Sequence, residues 1–165
     1  FGWQMPLAFT RDWLSVAKDE ARHFGLLQQR LESMNASYGD LSAHDGLWEA
    51  AEKTADDVLA RMALVPRVLE ARGLDVTPGM IRKLRELGAD EDVACLELIL
   101  AEEVRHVAIG THWYVDICKQ RGLPRVETFH RLLDEHMPGR KGAGPFNHEA
   151  RAEAGFLREE YVDFA

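Results

Sequence analysis

The sequence predicts an all-α fold, a helical bundle with additional short helices at its C-terminal end. Helix formers dominate, and no strand-like alternation of apolar and polar residues persists beyond a few positions. Apolar residues instead recur at helical spacing, as in the seam Trp13, Val16, Leu27, Leu31 and Met34. Gly and Pro collect at a few points between such stretches, where helices should end. With 165 residues, 46% hydrophobic and 29% charged, the chain is an ordinary globular composition, long enough for a single domain over 1–165.

The elements follow in order. A long first helix is expected from Met5-Pro6 to about Met34, then a polar loop through Tyr38-Gly39-Asp40 to His44. Asp45 is a suitable N-cap for a second helix from Gly46 to about Arg72, kinked at Pro66 because proline lacks the N–H that the Met62 carbonyl would accept. Gly73 to Pro78 reads as a break, with Thr77 capping a short piece from Pro78 to Leu87. After a turn at Gly88-Ala89-Asp90, a third long helix runs from about Glu91 to Gln120. Gly122-Leu123-Pro124 ends it, Val126 to His136 forms a shorter helix, and a Gly/Pro-rich loop over Met137 to Asn147 leads to a last helix from His148 to about Tyr161. Phe1-Gly2-Trp3 reads like the exit from an earlier element, so the chain is expected to be an N-terminally truncated part of a longer protein.

Composition excludes some functions. The formal charge of −8 argues against broad nucleic-acid binding, which needs a basic face, although a local patch that meets tRNA stays open. No apolar run reaches the ~18 residues of a membrane span, and the start is not a signal peptide. Cys95 and Cys118, if on one helix, stand roughly 35 Å apart at 1.5 Å per residue, too far for a disulfide. Two reduced thiols suit the cytoplasm.

One internal similarity carries chemistry. Asp19-Glu20-Ala21-Arg22-His23 and Glu102-Glu103-Val104-Arg105-His106 both read acid-Glu-x-Arg-His, 83 positions apart, each in mid-helix. A lone Glu-x-x-His is weak: 16 Glu and 7 His in this chain give roughly 0.7 such pairs by chance. Three occur, at Glu20/His23, Glu103/His106 and Glu127/His130. Position separates them. Residues three apart share a helix face. Glu103 and His106 continue the apolar seam of Leu96, Ile99, Leu100, Val107, Gly110 and Trp113, and Glu20 and His23 interrupt the seam from Trp13 to Leu31. A carboxylate on a buried face costs several kcal/mol unless it is paired or binds a metal. Glu127/His130 sits among Arg131, Asp134 and Glu135 and reads as a surface coincidence. Glu70 follows Leu59, Met62, Ala63 and Pro66 at helical spacing and is the candidate carboxylate from a third helix; its bland alternative is a surface pair with Arg67 or Arg72.

The candidate metal ligands are therefore Glu20, His23, Glu70, Glu103 and His106, with Glu20/His23 serving mainly one ion and Glu103/His106 the other. Ferritin-like bundles that hold two iron or manganese ions use one Glu from each of two helices and a Glu-x-x-His from each of two more. This chain supplies three of those four elements, and the fourth is expected before Phe1. Carboxylate and imidazole suit iron, with manganese possible.

At these residues the sequence resembles a known family. Met5 to Phe9, Asp19 to Phe24, Tyr38-Gly39-Asp40, Ala43 to Trp48, Arg61 to Asp75, Glu103 to Gly110 and Gly144 to Asn147 are similar to an uncharacterised bacterial ferritin-like family, catalogued as a domain of unknown function. The resemblance covers essentially the whole chain. It implies a ferritin-like fold with a di-metal centre and supplies no substrate.

Three functions compete. The first is a di-iron oxidoreductase or hydroxylase that uses O2 or peroxide on an unknown small molecule. The second is a non-enzymatic iron binder, and the third a metal-free helical interaction protein. Without a first helix, the seam of Trp13, Leu27 and Leu31 should be partly uncovered, which predicts a homo-oligomer or a borrowed helix. Other residues have plain expectations. His44 caps a turn, with a supporting role beside the metal as the alternative. Arg22 and Arg105 make surface or intersubunit pairs, and His112 is exposed. Trp48, Trp113 and Tyr114 are core. Arg121, Arg125, Arg131, Arg140 and Lys141 form a solvated basic face that could also meet an anionic substrate.

Overall fold

The computed structural model describes residues 4–139 and 144–162. Among them every regular element is a helix: α1 Leu7–Ser33, α2 Gly46–Lys53, α3 Val58–Leu64, a π-helix Val65–Glu70, α4 Ala71–Glu86, α5 Asp90–Gln120, α6 Arg125–His136, α7 His148–Glu153 and a 3₁₀ turn Arg158–Glu160. The all-α expectation holds. No described helix is long and apolar enough to cross a membrane.

The long α5 is the spine. α1 runs antiparallel along it, with Asp12 opposite Trp113, Asp19 opposite Arg105, Arg22 opposite Glu102 and Arg30 opposite Asp92. α3, the π-helix and α4 pack on another side of α5. One apolar cluster joins Leu59, Met62 and Leu64 of α3 to Trp113, Tyr114 and Ile117 of α5 and to Phe129 and Leu132 of α6. A second joins Ala71 and Leu74 of α4 to Val107, Ala154, Phe156 and Tyr161. Cys95 and Cys118 both lie on α5 with free thiols.

Several expectations need correction. The second helix is not continuous from Gly46: it stops at Lys53 and restarts at Val58, where Asp57 accepts a bond from the Leu59 N–H. Asp45 stands at the start of α2 but makes no side-chain cap. Pro66 does not simply kink the helix; it sits in the wider π-turn. The expected break at Gly73 to Pro78 is absent, Thr77 caps nothing, and α4 runs through both residues to Glu86. Pro78 cannot donate to the Leu74 carbonyl, but Asn147 Nδ2 donates to that oxygen at 3.2 Å, so the helix keeps its course. The last helix is shorter than expected, since Gly155 at φ +80° turns the chain out of α7. Trp48 is 67% exposed, not core, while Trp113 and Tyr114 are buried.

The basic stretch also divides. Arg121 pairs with Asp57 and Arg131 with Glu135 at the surface. Arg125 reaches inward to Glu160. Arg140 and Lys141 lie outside the described residues.

Candidate metal centre

α1 and α5 bring the two repeats face to face. Glu20, His23, Glu103 and His106 each present one donor atom, and these four atoms all lie within 4.8 Å of one another. His23 and His106 are buried and their rings stand 5.6 Å apart. His106 Nδ1 lies 2.8 Å from Glu20 Oε1 and 3.6 Å from Glu103 Oε2. His23 Nδ1 lies 3.5 Å from Glu103 Oε1 and 3.6 Å from Glu20 Oε2. The expected division into one ligand pair per motif is therefore blurred, since His106 approaches the Glu of the other repeat more closely than its own. None of these carboxylate oxygens lines up for a hydrogen bond, so both Nδ1 atoms are buried without a partner of that kind. Such atoms are rare and call for an explanation.

The outer ring nitrogens are held differently. His23 Nε2 donates to Glu102 at 2.7 Å, and His106 Nε2 donates to Asp19 at 3.3 Å. Each of those acids also pairs with an Arg from the facing helix: Glu102 with Arg22, and Asp19 with Arg105. The four fixed positions of acid-Glu-x-Arg-His are thus all used. The Glu and His face inward, while the acid holds the opposite helix's His and Arg. A carboxylate that takes the outer N–H of an imidazole fixes the ring for coordination by the remaining nitrogen. Sequence reasoning did not give Asp19 and Glu102 a role, although they open the two repeats. Arg22 and Arg105 make surface pairs within the chain.

The third helix contributes Glu70, the last residue of the π-helix. It stands outside the tight group of four but feels its charges. Burial first, then the Glu103 and Glu20 carboxylates, push the Glu70 carboxyl up to about 7. Its Oε2 is buried without a hydrogen-bond partner, which rules out the bland surface pair with Arg67 or Arg72 for that atom. At His106 burial works against the charged ring, but Glu103, Glu20 and Asp19 together outweigh it and raise the imidazole to about 10. Glu20 and Asp19 are held below the usual carboxylate range, chiefly by His106. Arg22, then His23, lowers Glu102. The site attracts positive charge strongly.

The remaining candidates sort as their surroundings suggest. Glu127 is exposed, and His130 meets the backbone oxygen of Glu159 at 3.0 Å, away from the four-residue group. His44 is exposed and its Nδ1 accepts from the Gly46 N–H at 3.3 Å, a turn-capping contact. His112 is exposed.

The donor set can be judged on this geometry. Two imidazole nitrogens and one carboxylate oxygen are buried without partners, and two further carboxylates adjoin them. That arrangement of nitrogen and oxygen donors fits a first-row transition metal better than calcium or magnesium, which take oxygen almost alone. A helical bundle with a Glu/His cluster between its helices that could hold a metal is the class that fold and site define. Within it, residues 1–162 match the family described as "Protein of unknown function (DUF455)", and the chain belongs to that family. It is also 46% identical over 154 residues to an uncharacterized protein of Haemophilus influenzae, an alignment that covers 93% of this chain and 53% of the relative. The chain thus spans about half the length of that relative. No solved structure matches it.

Proposed function

We propose that this protein is a ferritin-like di-metal carboxylate protein that binds two irons through Glu20, His23, Glu70, Glu103 and His106, and that it works as an O2- or peroxide-using oxidoreductase. One observation carries the reading: His23 Nδ1, His106 Nδ1 and Glu70 Oε2 are all buried without hydrogen-bond partners around one cluster of donors. Glu20 and Glu103 each come within 3.6 Å of both imidazoles, which supports a shared role. Three carboxylates offset most of the charge of two divalent ions. Manganese has the same ligand preferences and is the alternative metal. Bound iron supplies the electrons and the Lewis acidity that the side chains lack. The chain's own residues orient the imidazoles through Asp19 and Glu102, and they keep both rings and the Glu70 Oε2 away from bulk water.

A second reading, metal binding without catalysis, draws support from the burial of both imidazoles, which leaves Glu20 as the exposed member of the group of four. Oxygen uptake separates the two. The complete protein is loaded with Fe(II) without air and then mixed with O2. An oxidoreductase takes up O2 in proportion to about two irons per chain and repeats this when re-reduced. A store or a structural staple does not cycle.

The proposal includes a homo-oligomer. Of the α1 seam, Leu27 is 44% exposed and Trp13 and Leu31 are half-buried, apolar surface of the kind that partners cover. Light scattering of the complete protein should give a mass above one chain, and a stable monomer at all concentrations would count against it.

A further inference from the structure

We propose that Arg67 is a positioning residue for Glu70: the buried Arg67–Glu160 pair and the Pro66–Gly110 contact together lock the π-helix in the register that turns Glu70 toward Glu20 and Glu103. The inference rests on the metal-binding reading for its purpose, and on packing for its mechanism.

A π-helix is an uncommon backbone form that persists where surrounding structure fixes it, often at functional sites. Two contacts fix this one. The first is backbone-close packing on α5. A methyl group added at Gly110 would stand 2.3 Å from Pro66 Cβ and 2.4 Å from Pro66 Cγ, so only glycine admits the π-helix at that height. Gly110 follows His106 by four residues, one turn along the same face of α5. The π-helix is thus pinned one turn from a site imidazole.

The second contact is Arg67, three residues before Glu70 on the same π-helix. Its side chain is fully buried. The guanidinium carbon lies 4.3, 4.4 and 4.7 Å from the ring centres of Tyr114, Phe129 and Phe156. Its Nη2 lies 2.7 Å from Glu160 Oε1. Glu160 is itself held by Arg125 Nε at 2.8 Å, by Arg125 Nη2 at 2.7 Å and by the Leu157 N–H at 2.8 Å. Rotating the π-helix would drag a guanidinium out of an aromatic box and away from a buried carboxylate.

Stability alone does not ask for an arginine there. A buried ion pair often stabilises no more than an apolar side chain of equal volume, and its best-attested use is to fix register. Glu70 needs such a device. Its Oε2 has no hydrogen bond, so its aim is inherited from the backbone that carries it.

The test uses Arg67→Met in the complete protein, because methionine keeps the volume and leaves the Arg125–Glu160 pair intact. Two readouts are taken: Fe(II) affinity, and amide hydrogen exchange of residues 68–71 in metal-free protein. The proposal expects at least tenfold faster exchange at those amides and a tenfold or greater loss of Fe(II) affinity. The affinity loss should match that of Glu70→Gln and should not deepen in the double variant. Arg67→Lys, which can keep the Glu160 pair, should restore much of both. Wild-type exchange at residues 68–71, or affinity losses that multiply in the double variant, would overturn it. If the wild-type protein binds no iron, the metal reading fails while exchange still decides whether Arg67 locks the π-helix. If Arg67→Met does not fold, Gly110→Ala is read in the same two ways, since its methyl must displace Pro66.

Discussion

The π-helix carries residues of two clusters, Arg67 toward Glu160 and Glu70 near Glu103 and Glu20, and the two treat their carboxylates differently. Glu160 is fully buried, yet two guanidiniums and a backbone N–H meet its oxygens, and despite its burial they hold its carboxyl below the usual range. Glu70 is half-buried, its Oε2 is buried without a hydrogen-bond partner, and its carboxyl is raised to about 7 by burial and by neighbouring carboxylates. Both present buried carboxylate oxygen, so burial alone does not mark a binding site. What separates them is compensation. In the Glu160 cluster the carboxylate is matched by two guanidiniums of the chain, although the Arg67 nitrogens are buried without hydrogen bonds, and the cluster reads as structure. The Glu70 cluster has an excess of carboxylates and two unpartnered imidazole nitrogens, and these are the grounds for proposing a cation there.

The comparison can be broken at several points. The largest effect on the fold should come from Glu160→Ala, which leaves Arg67 charged and unpaired in the interior. The expected cost is ~3–5 kcal/mol, measured by urea or thermal unfolding. A loss below ~1 kcal/mol would mean the cluster is not the structural one. On the other side, Asp19→Asn and Glu102→Gln remove the carboxylates that hold the outer nitrogens of His106 and His23. Each should lower iron affinity roughly 10–100-fold while the protein stays folded. Isothermal titration with Fe(II) or Mn(II) would show it, and unchanged affinity would deny these acids a part in the site.

Acid and base should also act on the two clusters in opposite senses. The Glu160 carboxyl is depressed in the folded state, so its stabilisation is present above the unfolded value near 4.5 and is lost as pH falls through the lower folded value. The Glu70 carboxyl is raised, so in metal-free protein stability declines as pH climbs from about 4.5 through about 7, where the unfolded state has already released that proton. Glu160→Gln should flatten the acid limb of a melting-temperature profile and Glu70→Gln the neutral limb. Swapped effects would contradict the assignment. The smallest change is expected at the exposed Arg85–Glu97 pair, where Arg85→Ala should shift stability by less than ~1 kcal/mol.

The repeat made much of the site readable in advance. Acid-Glu-x-Arg-His on two apolar seams brought Glu20, His23, Glu103 and His106 to one place, because a three-residue spacing on a helix fixes a shared face whatever the tertiary detail. The same periodicity suggested Glu70, which stands outside the group of four. The rest depended on contacts between distant segments. Asn147 satisfies the Leu74 carbonyl that Pro78 leaves free, so a stretch that looked like a break is helix. The π-helix at Pro66 depends on a glycine 44 positions away on α5. Asp19 and Glu102 had no role readable in the sequence, since their partners lie on the opposite helix. Trp48 looked like core but lies on a short helix that leaves it open to solvent.

The central claim is that the uncompensated cluster is a metal centre, and metal content tests it most directly. The complete protein is purified from iron-supplied cells, and iron per chain is measured for wild type and four variants. The account predicts about two irons per chain in the wild type, a sharp loss in both Glu103→Ala and His106→Ala, and wild-type content in Glu127→Ala and His130→Ala. Wild-type protein that carries no iron or manganese, or the same outcome for both Glu-x-x-His pairs, would contradict it.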